Sequence, residues 1–441
     1  MIIDKNKVFL EERVPSFQEI DQVLSPQRAF QEAARCLFCY DAPCSKECPA
    51  GIDVERFIRK IKTRNFEGAI KVIREANPFG AICARVCPVE QLCEKACIRN
   101  NAESSIAIGA LQRFITDQEL ARGIKPFIFQ EKKDKSVAII GAGPSGLAGA
   151  RELAQNGYKV VVFESKSKPG GLTRHGIPRY RLPEEIFQKE IDAIAGYVEI
   201  KPDTEVGKDI SWQSLLDAYD AILIACGLKK TITMNIMGEE LDGIILSDAF
   251  LSRLNSGERL NFQGKRIAVI GGGNTAMDCA SSAIRLGSEK VMVIYRRSKA
   301  EMPAWKREYE LAREEGVEFS WLTLPHKFKG KQQVEKMECI KMRLGETDES
   351  GRRSPAPIPG SEFAIPVDII IEALGQKADE ELINMFGIRN EKGLIIVEEE
   401  TGQTSNPKIF AAGDILNGGK TVVEAVKEGK EAARGIHAFL S

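Results

Sequence analysis

The sequence predicts an α/β protein in which two Rossmann-like units follow an all-α segment, and three observations carry that prediction. Between residues 16 and 120 apolar residues recur at three-to-four spacing, in FQEAARCL, VERFIRKIKTRNFEGAIKVIRE and IAIGALQRFITDQELA, with no strand pattern among them. After the charged stretch EKKDK, the run SVAIIGAGPSGLAGARELAQNGYKVVVFES reads as strand, glycine turn, helix and strand, a βαβ unit. A second such unit, RIAVIGGGNTAMDCASSAIRLGSEKVMVIYRRS, begins 130 residues later, so the middle and end of the chain read as a diverged duplication.

A chain of 441 residues exceeds one ordinary core and divides into two or three domains. Its net charge of -1 gives no basic footprint for nucleic acid and no polybasic patch for a membrane surface. The opening MIIDKNKVFLEERV is charged throughout and lacks the apolar core of a signal peptide, and no later run approaches eighteen apolar residues. The expectation is a cytoplasmic protein. In a reducing compartment disulfides are disfavoured, which directs attention to metal or redox chemistry for clustered cysteines. The polar stretch GETDESGRRSPAPIPGSE, residues 345–362, reads as a surface loop.

The first glycine turn is Gly141-Ala142-Gly143-Pro144-Ser145-Gly146. Its first glycine permits the tight turn, the second lets backbone approach a pyrophosphate, and the third lets helix pack on strand. The helix N-terminus then faces the phosphates. Glu164 closes the second strand 23 residues after Gly141, where a carboxylate accepts hydrogen bonds from ribose hydroxyls. The continuation SKPGGLTRHGIPRYRLP, with Gly170, Gly171 and Leu172 at a further turn, resembles the adenine-dinucleotide flavoproteins. So does IFAAGDI, where Gly413 and Asp414 would meet the ribityl chain of FAD; the competing role for Asp414 is a helix cap.

The second turn, Gly271-Gly272-Gly273-Asn274-Thr275-Ala276, repeats the fingerprint with Ala for the third glycine. Its following strand ends in Tyr295-Arg296-Arg297 where an NAD-specific site would carry Asp or Glu. Guanidinium groups there suit a 2'-phosphate and favour NADP; a solvated basic turn is the alternative.

Eight of the eleven cysteines lie in the first hundred residues, as Cys36-x2-Cys39-x4-Cys44-x3-Cys48-Pro and Cys83-x3-Cys87-Pro-x4-Cys93-x3-Cys97. Zinc would accept such ligands. Thiolates followed by Cys-Pro fit the spacing of cluster ferredoxins more closely, and a flavin beside them needs one-electron carriers, a role zinc cannot fill. A disulfide reductase would need a cysteine pair beside the flavin. GGLTRHGIP has none, and Cys226, Cys279 and Cys339 are isolated in apolar surroundings.

Together RCLFCYDAPCSKECP, NPFGAICARVCP, IGALQRF, IPRYRLP, GNTAMDCASSA and FAAGDI resemble the electron-input half of dihydropyrimidine dehydrogenase. Over nearly the same length, more distantly, the chain resembles the small subunit of glutamate synthase. DAPCSKECP and Gln112 suit the first type better. The resemblance implies two [4Fe-4S] clusters with interleaved ligands: Cys36, Cys39, Cys44 and Cys97 for one, and Cys48, Cys87, Cys93 and the amide of Gln112 for the other, with Cys83 spare. It further implies that Arg181 contacts FAD, that Lys420 and Thr421 open a helix aimed at the flavin ring, and that Ala373, Leu374 and Gly375 border the nicotinamide path. Pro303 stands where some relatives carry a further basic residue, which leaves NAD open.

The implied architecture is a helical two-cluster domain over residues 1–125, an FAD domain over 133–245 and 374–441, and an NADP domain over 246–373 inserted in it. Hydride would pass from NAD(P)H to FAD, and single electrons would leave through the clusters to a separate catalytic or electron-accepting subunit containing FMN. No general acid or base is expected, and His175, His326 and His437 form no catalytic set. The rival readings are a glutamate synthase small subunit, or a related NADPH-dependent oxidoreductase subunit, and, in another class, a nucleotide-binding redox sensor.

Overall fold

The computed structural model describes residues 17–123, 130–348 and 351–441, and no helix among them is long and apolar enough to cross a membrane. The cysteine-rich segment folds as helices α1 (Pro26–Ala34), α2 (Val54–Lys62), α3 (Phe66–Ala76), α4 (Gly80–Val86) and α5 (Ile108–Arg122). Local chemistry starts them. Ser25, Asp53 and Asn65 each accept a first-turn backbone N–H at the N-cap, from Arg28, Arg56 and Gly68. In α2 Glu55 occupies the first turn and Arg59, Lys60 and Lys62 the last, which complements the helix dipole. Its Val54, Phe57, Ile58 and Ile61 fall on one face and enter a core with Ile73, Leu111 and Phe114. Each large side chain buried there contributes about 1.5–3 kcal/mol.

The first Rossmann unit contributes β1 (Ser136–Ile140), α6 (Pro144–Gln155), β2 (Lys159–Phe163), α7 (Glu184–Ala195), β3 (Glu199–Lys201) and β4 (Ala221–Ile224). The second contributes β5 (Ile244–Leu246), α8 (Ser247–Asn255), β6 (Arg266–Ile270), α9 (Asn274–Arg285), β7 (Lys290–Tyr295) and β8 (Glu318–Trp321). An antiparallel sheet of β9 (Thr323–Gly330), β10 (Val334–Thr347), β11 (Arg353–Pro357) and β12 (Phe363–Pro366) precedes β13 (Ile369–Glu372). The chain ends with β14 (Ile409–Ala411) and α10 (Val422–Leu440).

Four strands of each parallel sheet share one order, and the fifth, at the same edge, is the last strand in chain order in one sheet and the first in the other. One runs β14-β4-β1-β2-β3, the other β5-β13-β6-β7-β8. The duplication read from the two glycine turns therefore extends to topology. Because β14 pairs with β4, Ile409 against Ile222, the first sheet is completed only after the second has been built. The α/β architecture with one Rossmann unit nested in the other, behind an all-α domain, is the one the sequence predicts.

One departure is instructive. Half of the described residues in the expected loop at 345–362 are strand: β11 pairs along β10, Met342 opposite Pro357 and Leu344 opposite Pro355. Proline lacks a ladder donor but is tolerated on an edge strand, which is where β11 lies. The chain divides into two compact units. One compact unit comprises Glu19–Arg174, Arg181–Lys230 and Lys377–Ser441; the other is built on His175–Tyr180 and Thr231–Gln376. Residues 231–245 thus join the inserted unit, where Ile244 pairs with Ile370. The short segment His175–Tyr180 joins it through α8, whose Asn255 Nδ2 donates to the carbonyls of His175 and Ile177, 3.0 Å each.

The helical layer and the first Rossmann sheet form one unit because charged side chains meet helix ends. Glu190 of α7, fully buried, accepts from the N–H groups of Ala81 and Ile82 at the start of α4, 2.8 and 2.9 Å, and from Arg74 of α3. Arg74 also pairs with Glu119 of α5 at 2.7 Å. At the C-terminal end of α3, Arg151 of α6 donates to Arg74 O at 2.8 Å and Lys430 of α10 donates to Ala76 O. Anion on helix start and cation on helix end are the favourable pairing, and truncating one partner of such a buried pair costs about 3–5 kcal/mol.

Candidate cluster and dinucleotide sites

Around the start of α6 the glycines are placed by contact. Gly141 has φ +100°, and a Cβ there would lie 2.5 Å from Ala225 O; one at Gly146 would lie 2.1 Å from Gly141 O. Gly143 faces open space, with Gly171 Cα at 4.0 Å as its nearest neighbour. The second glycine turn is folded onto the first, since Gly170 N donates to Ala142 O at 2.7 Å. Gly413, φ +84°, closes on Ser145, whose Oγ would be 2.5 Å from an added Cβ. Gly141, Gly143, Ser145, Gly171 and Gly413 therefore line one cradle, closed to side chains at Gly141, Gly171 and Gly413 and open at Gly143, and a pyrophosphate against a helix N-terminus fits it.

Glu164 is buried at the end of β2 and its carboxylate accepts Ala142 N and Lys166 N, both at 2.8 Å. It braces the turn as well as facing it. Asp414 begins the short helix Asp414–Asn417 and accepts Lys420 N at 3.2 Å; burial pushes its carboxyl up. Thr421 caps α10 in a reciprocal pairing with Glu424, and Lys420 is exposed beside it. Leu172 is 39% exposed, an apolar residue at the open side of the second turn. Arg181 lies just beyond the point where the chain re-enters this unit. Glu428, not anticipated from sequence, accepts Gly413 N at 2.8 Å and fixes that turn; a lone glutamate mid-helix carries no signal of this.

The second turn follows the same logic. A Cβ on Gly271 would sit 2.2 Å from Ala373 O, and one on Gly272 would enter the ring of Tyr295. Gly273 faces open space. Asn274 Oδ1 accepts Trp305 N at 2.8 Å and Gly272 O accepts Ala304 N at 3.0 Å, so the segment after Pro303 folds over the turn; Thr275 is exposed. The two arginines part company. Arg296 is exposed, whereas Arg297 is buried, donating to Arg353 O at 2.9 Å and to Asp348 at 2.6 Å. Ala373 and Gly375 lie directly past β13, beyond Glu372, which is 1% exposed. Burial, reinforced by the neighbouring Glu239, pushes the Glu372 carboxyl up to about 7.

Cys36, Cys39, Cys44 and Cys97 line one recess of about 400 Å³, counting solvent at its mouth, together with Leu37 and Ile98. Fifty-odd residues separate Cys44 from Cys97, so only the fold unites this set. Cys48, Cys83, Cys87 and Cys93 are electrostatic neighbours, Cys87 of the other three and Cys48 of Cys83 and Cys93, with Cys93 also close to Cys44 of the first set. Gln112 is buried on α5 with Nε2 donating to Gly80 O at 2.7 Å, a bond that does not engage its amide oxygen. Cys83 lies within this second group, not apart from it. Among the described residues no three His, Cys, Asp or Glu groups converge on a single-ion position. Thiols spaced around a recess suit a cuboidal cluster better than one tetrahedral ion. Burial pushes the Cys44 thiol up to about 11 and raises Cys36, Cys48 and Cys93; Cys87 is raised first by the neighbouring Cys83 and then by burial. Such thiols deprotonate on metal binding, which releases protons. Burial raises Cys226 to about 11 and Cys339 to about 12, and Cys279 as well, in keeping with inert core residues.

Residues 13–124 match the family described as dihydropyrimidine dehydrogenase domain II, 4Fe-4S cluster. Residues 135–429 match pyridine nucleotide-disulphide oxidoreductase. The chain belongs to the latter family, in a branch with an N-terminal 4Fe-4S domain. It is 41% identical to the NADP(+)-dependent formate dehydrogenase subunit beta of Moorella thermoacetica over 90% of its own length, and spans 60% of that relative. It is 36% identical to the glutamate synthase [NADPH] small chain of Azospirillum brasilense, covering 97% of this chain and 92% of the other. It is 38% identical to the NAD-dependent dihydropyrimidine dehydrogenase subunit PreT of Escherichia coli O157:H7, over 98% and 97%. The chain is an electron-transfer flavoprotein of this type, and its two domain matches imply FAD, a nicotinamide dinucleotide and [4Fe-4S] clusters as cofactors.

Proposed function

We propose that this chain is the NAD(P)H-oxidising subunit of a multi-subunit enzyme of dihydropyrimidine dehydrogenase type, passing electrons to an FMN-containing partner in the cytoplasm. The observation that carries the reading is the recess walled by Cys36, Cys39, Cys44 and Cys97, in the same compact unit as the glycine cradle at α6. When bound, the cofactors supply hydride donation, two-to-one electron splitting and one-electron carriage. The protein's own residues bind, orient and exclude water. Gly143 and Gly273 open the two phosphate seats, Glu164 and Asp414 take the hydroxyls of the flavin nucleotide, and Arg296 meets a 2'-phosphate. Cys48, Cys87, Cys93 and Gln112 hold the second cluster. No side chain is required to move a proton, and alignment is the main contribution.

The relatives named as formate dehydrogenase and glutamate synthase subunits are as similar as PreT, which supports a second reading with another partner in the same role. Anaerobically purified chain should oxidise NADPH with an artificial dye at steady state; a nucleotide-binding sensor would give almost no turnover. Co-expression with a dihydropyrimidine dehydrogenase catalytic subunit should then yield pyrimidine-dependent NAD(P)H oxidation. Dye reduction without that coupling would reject the dihydropyrimidine assignment and leave the electron-input role standing.

A further inference from the structure

Lys430 is an unusual residue for the middle of a helix. It is 6% exposed, and its Nζ donates to Ala50 O at 3.1 Å and to Ala76 O. Lysine is rarely buried unless paired, and here the partners are two backbone carbonyls of the cysteine-rich layer. Ala50 follows Cys48 by two residues, in the turn Cys48-Pro49-Ala50-Gly51-Ile52. The Gly51 N–H closes this turn onto the Cys48 carbonyl at 2.9 Å, while the Ala50 carbonyl is drawn to Lys430. The turn that carries Cys48 is thus held by an ammonium only two residues further along the chain.

The same helix reaches the flavin nucleotide site. α10 begins at its cap Thr421, next to Lys420 and six residues past Gly413-Asp414-Ile415. From Thr421 to Lys430 is nine residues, about 13 Å of helix axis at ~1.5 Å per residue. Close packing keeps this strut fixed against α6, since a Cβ on Gly429 would fall 2.1 Å from Ser145 O.

We propose that Lys430 is a positioning residue that sets the reduction potential of the cluster bound by Cys48, through its charge and through its hold on the turn that carries Cys48. The inference rests on Cys48 being a cluster ligand. Hydrogen bonds to cluster sulfurs and nearby charge both set such potentials. A cation stabilises the more negative, reduced state and so raises the potential. The other thiol group, Cys36, Cys39, Cys44 and Cys97, lies around a recess to which Lys430 does not contribute.

The test is an EPR-monitored redox titration of the anaerobically purified holoprotein, with iron and sulfide assayed first. Lys430→Gln keeps a donor for the two carbonyls without the charge. It should move the midpoint of one cluster signal to more negative potential, leaving the other cluster and the flavin in place, and Lys430→Arg should bring that midpoint back. Equal midpoints in wild type and Lys430→Gln, or one shift shared by both clusters, would overturn the proposal. So would clusters that load with Arg but not with Gln, since Lys430 would then serve assembly. Cys48→Ser separates the two assumptions. If it perturbs neither signal, the ligand assignment has failed; if it perturbs one that Lys430→Gln leaves unmoved, the role of Lys430 has failed.

Discussion

Glu372→Gln isolates a buried proton in the inserted unit. The carboxyl ends β13, is 1% exposed, and its Oε1 has no hydrogen-bond partner. Burial first, and Glu239 second, move it from the ordinary 4.5 to about 7. That displacement is at most about 3–4 kcal/mol, at ~1.4 kcal/mol per pH unit. The direction follows from proton binding. The folded state retains a proton that the unfolded chain releases above pH 4.5, so stability is full below that pH and is lost as pH rises toward 7. Glutamine has nothing to release. Thermal unfolding of wild type and variant holoprotein across pH 4.5 to 8 should show a small difference at the acid end. The variant should then gain on wild type up to pH 7 and hold a constant lead above it, on the order of 5–10 °C. A difference that stays flat from pH 4.5 to 7 would refute the reasoning.

Three further predictions concern the sites. Gly146→Ala forces a Cβ against Gly141 O and should cost about 1–3 kcal/mol of stability along with FAD retention, measured by unfolding and flavin content. Gly273→Ala meets no protein atom, so it should leave stability intact and raise the KM for the nicotinamide dinucleotide alone. Arg296→Ala should raise the KM for NADPH about tenfold while sparing NADH, whereas Arg297→Ala, which breaks the Asp348 pair, should lower Tm with no change in the NADPH to NADH ratio. Gln112→Cys replaces a neutral ligand by a thiolate and should lower one cluster potential, and Cys83→Ala should preserve both clusters; loss of a cluster in the latter would make Cys83 the ligand.

Much of the molecule was legible because its signals are local. A glycine turn between a strand and a helix is a short-range steric requirement, and both turns fold as the fingerprint demands, down to Gly143 and Gly273 facing open space. The apolar spacing in VERFIRKIK likewise fixes which face of α2 is buried. Cysteine spacing pointed to clusters but not to which thiols share one.

The sequence by itself determined the element types, the duplication and the chemical class of the cofactors, since these depend on residues within a few positions of one another. Only the tertiary structure decided the groupings that join distant segments. It brought Cys97 to Cys36 and turned Arg297 away from its neighbour. It set the edge proline strand in place of a loop, and buried Lys430 against carbonyls more than 350 residues away. Burial and charge at such places come from packing between segments, and no local pattern encodes them.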